Sequence, residues 1–177
     1  MKLLSDIRLL LLSIWLGSAV FFIAVAQSAF AVLPQRELAG AMVSRTLAIL
    51  NFGGLAIAIV LILTSFIGAK SINRYSAWIE RFLLLVVGAA CGIGQFVIGL
   101  WLSMLRSQMA KPIDEVAADD PLRLQFDKLH TWSEWVLLIA MIAGVIAFFV
   151  IARRKFGASG SKVSPTDPYN FEKEFKI

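Results

Sequence analysis

Three residues in the last third of the chain have the types and spacing of a metal site. Asp127, His130 and Glu134 stand at i, i+3 and i+7, so on a helix they share one face. Three such ligands could begin a zinc or manganese centre. His130 is the only histidine, and Cys91 the only cysteine, so nothing softer is at hand to complete the set. The spacing is also common by chance, which leaves these three as weak metal candidates beside an expectation of no metal. The plainer role for His130 is a hydrogen bond to a neighbouring carboxylate or carbonyl. Cys91, set among Ala and Gly, reads as a small packing residue rather than a reactive thiol. No G-x-S-x-G, H-E-x-x-H, C-x-x-C or phosphate-loop pattern occurs. The expectation is therefore a non-enzymatic protein with no cofactor.

The remaining polar candidates are Gln27, Arg45, Asn51 and Gln95, and what makes them notable is their setting. Of 177 residues, 59% are hydrophobic and 16% charged, with a mean hydropathy of +0.79. A chain this apolar could not cover its own surface with polar groups in water. Four apolar runs, Leu9 to Leu33, Leu47 to Ile67, Phe82 to Leu105 and Trp135 to Ala152, each meet or nearly meet the ~20 residues that a helix needs to cross a bilayer. None alternates as a membrane strand would, and in lipid every backbone amide must be paired within its own element, so the runs are helices. The reading is all-α: a polytopic membrane protein with a bundle of four transmembrane helices in one domain over 1–155. Spans are expected at about 9–33, 43–67, 79–105 and 130–152, followed by a flexible cytoplasmic tail over 156–177. Met1-Lys2 and Ala24-Val25-Ala26 imitate a signal peptide with its cleavage site. The apolar run continues past that site to Pro34, however, and retention of the first helix is expected.

With four spans, the N-terminus, the second loop and the C-terminus lie on one side. That side carries eleven Lys or Arg against five Asp or Glu; the other side carries six against seven. The positive-inside rule then places both termini in the cytoplasm, and the cell (inner) membrane is the expected location. The bilayer is the expected partner, with a membrane-protein partner or a homo-oligomer also in view, and the +5 net charge marks loops facing anionic lipid rather than a nucleic-acid surface. Asp120-Pro121 reads as an N-cap followed by Pro at the first helical position. The third and fourth helices should accordingly extend beyond the bilayer as an external helical hairpin with its tip near Lys111 to Asp120.

Each span has a face of small or polar residues. These are Gly17, Val20, Ala24, Gln27 and Ala31 in the first; Leu47, Asn51, Gly54, Ala58, Leu61 and Ser65 in the second; Leu85, Gly88, Gly92, Gln95 and Gly99 in the third; and His130, Glu134, Leu137, Met141 and Gly144 in the fourth. Small residues let membrane helices approach closely, so Gly17, Gly54, Gly88, Gly92 and Gly99 are expected at helix contacts. The polar members, Gln27, Arg45, Asn51, Gln95, His130 and Glu134, fall in the outer third of the bundle, and the cytoplasmic half is expected to be almost wholly apolar. They would either satisfy one another, Asn51 with Gln95 and Arg45 with Glu134, or line a shallow pocket for a small solute or ion. The two functional expectations are thus a membrane component that handles or senses such a solute, and a structural or assembly partner of another membrane protein.

Trp15-Leu16-Gly17, Phe21-Phe22, Phe30, Ala39-Gly40, Arg45 and Asn51 resemble the first helical pair of the bacterial DUF4149 group, which is related to eukaryotic transmembrane protein 205. Phe126-x-x-Leu129-His130-x-x-Ser133 resembles the start of that family's last helix. The resemblance implies a four-helix membrane domain and draws attention to Arg45, His130 and Ser133. It implies no substrate.

Overall fold

The computed structural model describes residues 2–67, 74–109 and 111–153; the tail expected over 156–177 lies outside them. Four long helices account for nearly all of these residues: α1 (Lys2–Val32), α2 (Arg36–Thr64), α3 (Arg74–Gln108) and α4 (Pro121–Ala152). Each is long and apolar enough to cross a membrane. Their 29 to 35 residues correspond to roughly 44–52 Å at ~1.5 Å per residue, more than the ~30 Å of hydrocarbon. The chain is therefore a multi-pass membrane protein with a four-helix bundle. Every helix starts five or more residues before the apolar span expected from the sequence, because hydropathy marks the lipid-embedded part and not the polar turns that continue the same helix.

Local chemistry sets the ends. α1 stops two residues before Pro34, which cannot continue the backbone ladder. Glu37 sits in the first turn of α2, where the helix dipole favours an acid. The Asp120 side chain accepts a hydrogen bond from the Leu122 amide at 2.7 Å, with Pro121 at the first helical position, so α4 begins at the expected cap. Between α3 and α4 the chain makes a short 3-10 turn, Ile113–Glu115, and the Arg123 guanidinium donates to the Val116 carbonyl at 2.5 Å, closing the turn onto α4. The end of α3 packs on α4, as the hairpin required.

Sequential helices pack against one another, and α1 also packs on α4, so the bundle closes into a ring. Its core holds Leu12, Trp15, Ala19 and Phe22 from α1, Leu84, Val87 and Cys91 from α3, and a run of small residues from α4, Ala140, Ala143 and Ala147. The buried residues of α1, namely Ser5, Arg8, Leu12, Trp15, Ala19, Phe22 and Ala29, with half-buried Ala26 between the last two, alternate steps of three and four. That is the 3.5-residue period of helices packed nearly parallel to their neighbours. At the loop end, the Arg106 guanidinium lies 5.4 Å from the Phe126 ring centre. A Cβ on Gly40 would come within 3.2 Å of Arg106 Nη2. One α3 side chain thus ties the start of α2 to the start of α4.

One stretch of α3 is irregular. Gly94–Gly99 forms a π-helical turn, with a glycine at each end. Such turns hold an extra residue and are often found at functional sites.

Candidate functional site

Asn51 is the one member of the six polar candidates that the fold buries, at 6% exposure. It projects from α2 onto the start of the π turn, where a Cβ on Gly94 would lie 3.2 Å from its amide nitrogen. A side chain at 94 would crowd this amide, which would have to give by a few tenths of an ångström. Asn51 lines a crevice between α2, α3 and α4, together with Leu47, Cys91, Gly94, Ser133 and Leu137. The crevice has room for about one water molecule. The Ser133 hydroxyl donates to the His130 carbonyl of its own helix at 2.7 Å and keeps its lone pairs. Among the described residues, no hydrogen bond joins Asn51 to Gln95, which is half-buried inside the π turn.

The other candidates lie on the surface of the bundle. Arg45 is exposed on α2, and Gln27 is exposed on α1. His130 Nε2 stands 3.5 Å from Glu134 Oε1, one turn along α4, with both side chains more than half exposed. The His130 ring also stacks on Phe126 at 6.4 Å between centres. Among the described residues, no ion pair links Arg45 to Glu134, and no group of three or more His, Cys, Asp or Glu gathers as a metal site. Asp127 is exposed beside the pair without joining it.

The opposite end of the bundle corrects the expectation that it is almost wholly apolar. Arg8 is 3% exposed and Glu80 0%, and their side chains form an ion pair. Arg8 Nη2 also donates to the Leu61 carbonyl at 2.7 Å, so one guanidinium joins α1, α2 and α3. Arg81, next along α3, donates to the Ser65 hydroxyl at 3.0 Å and to the Ser65 carbonyl at 3.1 Å, covering the end of α2. Its guanidinium also lies 4.0 Å from the Phe66 ring centre. The sequence did hold a signal for this clasp. Arg8 and Glu80 each stand six residues past the first residue of their helix, at matching depth in two helices that run the same way.

Between these layers the bundle closes around Trp15. Its indole Nε1 donates to the Leu50 carbonyl at 3.3 Å. To reach that carbonyl, the indole crosses α2 at the next turn, where the residue is Gly54. A Cβ at Gly54 would lie 2.4 Å from Trp15 Nε1 and 2.6 Å from Cys91 Sγ; one at Gly144 would lie 3.0 Å from the far side of the indole. Cys91, 2% exposed, therefore fills space against Gly54. Of the five glycines expected at helix contacts, Gly54 and Gly88 meet another helix, Gly88 through Ala58 at 3.3 Å. Gly99 meets only the Gly94 carbonyl of its own helix. Gly17 and Gly92 would have nothing within 4 Å of a Cβ. The physical reason is rotation: α1 turns Trp15 and Ala19 inward and Gly17 outward, and α3 turns Leu84 and Cys91 inward.

Compared with known proteins, the chain matches no curated protein and no solved structure. It does match one family over residues 10–111, a stretch that runs from α1 through the end of α3 and takes in Trp15, Asn51, Gly54, Glu80 and the π turn. The His130 and Ser133 positions of α4 lie beyond that stretch. With more than half of its length matched, the chain belongs to the DUF4149 family, a domain of unknown function.

Proposed function

We propose that the protein is a non-catalytic membrane scaffold that assembles through the outward face of α1, pairing there with a second copy of itself. One observation carries this reading. Leu10, Ser13, Gly17, Val20, Ala24, Gln27 and Ala31 follow the same alternation of three and four as the core face, five residues displaced, and all seven are exposed. A displacement of five residues is about 140° around the helix, so α1 carries a second seam on the side away from the core. In lipid, small residues are what allow close helix approach, and a polar side chain usually turns toward protein. Gln27 breaks that rule in the single chain, since it lies in the uncharged run and faces outward. Its amide both donates and accepts, so two copies related by a two-fold axis would satisfy each other, for about 0.6–2 kcal/mol. The Ser13 hydroxyl makes no such demand, because it donates to the Leu9 carbonyl at 2.7 Å.

The solute reading has Asn51 in its favour. With room for about one water in the crevice, α2, α3 and α4 would have to part before a larger ligand could enter. The charge imbalance supports cytoplasmic termini for the scaffold. Native mass spectrometry after gentle extraction tests the proposal. The wild type should appear as dimers, and Gln27→Leu should shift the population toward monomer. A monomeric wild type, or a different polypeptide bound in place of the second copy, would refute it.

A further inference from the structure

We infer that the crevice beside the π turn is a site for one ordered water, held between the Asn51 amide and the Ser133 hydroxyl. Asn51 is 6% exposed, and among the described residues no hydrogen bond reaches its side chain, whose amide atoms are not wholly enclosed by protein. In the interior of a membrane bundle an amide with its donors and acceptor unmet is strongly disfavoured. Asn51 borders a crevice whose free space is that of about one water. A buried water needs two or more polar partners, and Ser133 lines the same crevice from α4 with acceptor capacity left after its bond to the His130 carbonyl. Gly94 leaves the amide uncrowded, since a Cβ there would stand 3.2 Å from it.

The location gives the water a task. The π turn begins at Gly94, directly under Asn51. Returning such a turn to α geometry would turn the rest of α3 by about 100°. That rotation would carry Arg106 away from Gly40 and Phe126. A water fixed between α2 and α4 holds Asn51 over Gly94 and so keeps the extra residue of α3 in place. The ligand class is a neutral hydrogen-bonding group of a single heavy atom, and water is the occupant.

Solution NMR of the full chain in lipid nanodiscs tests this. The Asn51 side-chain amide signal, identified by its loss in Asn51→Leu, should show a cross-peak to water with the sign of a long-lived contact. Ser133→Val removes the hydroxyl and fills the space. It should abolish that cross-peak while leaving the backbone pattern of a folded bundle. Absence of the cross-peak in the folded wild type would overturn the site. So would a cross-peak to lipid in its place, or one that persists in Ser133→Val.

Discussion

Replacing Arg8 with methionine is expected to be among the most damaging single changes to the bundle. Methionine keeps much of the stem volume but removes the cation paired with Glu80 and the donor to the Leu61 carbonyl. Glu80, at 0% exposure, would keep a carboxylate without its arginine. Removing one member of a buried pair typically destabilises by roughly 3–5 kcal/mol. Removing both is gentler, because apolar groups of similar volume often replace a buried pair at little loss. The double variant Arg8→Met/Glu80→Leu should therefore melt above Arg8→Met in the same detergent. If Arg8→Met melts with the wild type, the clasp does not hold the helix ends together.

Gly54→Ala should also destabilise, although alanine favours a helix over glycine by about 1 kcal/mol. The added carbon would stand 2.4 Å from the indole nitrogen of Trp15 and 2.6 Å from the Cys91 sulfur. Neither can withdraw into open space, since Trp15 is 3% exposed and Cys91 2%. Overpacking of this kind costs about 1–3 kcal/mol, and here it also pushes the indole off the Leu50 carbonyl. Gly92→Ala is the matched control. With nothing within 4 Å of its Cβ, it should melt at or slightly above the wild type. Equal melting of Gly54→Ala and Gly92→Ala would remove Trp15 as the wedge of the bundle.

The four spans were legible because the bilayer sets a length, and Leu9 to Leu33 or Trp135 to Ala152 can meet it in only one way. The cap at Asp120 and the hairpin beyond it were legible from two residues, since Asp before Pro suits a helix start better than its interior. The small and polar face of α2, from Leu47 through Asn51 to Ser65, was legible as a packing face, and its members are buried or half-buried. The face of α1 carries the same signal, with Gly17 and Gln27 expected at helix contacts and in the polar cluster, yet it lies outward. In water the apolar side of a helix is the inner one, but in lipid both sides are apolar, and Gly17, Ala24 and Gln27 describe a packing face without saying against what. The Arg8–Glu80 clasp was hidden for another reason. Charges at the ends of apolar runs have a ready role in orienting the chain, and 72 positions separate the partners. Nor does the run Gly94–Gly99 announce a π turn, because two glycines five apart fit an ordinary membrane helix as well.

The α1 seam is tested most directly by a disulfide scan in native membranes. In a Cys91→Ala background, single cysteines are placed along α1 from position 10 to 31 and oxidised, and covalent dimers are counted. The scaffold account expects dimers at Ser13, Gly17, Val20 and Ala24, repeating every three to four residues, and none at Trp15, Ala19 or Phe22, which face the core. No dimer along the seam, or dimers spread evenly around the helix, would contradict it.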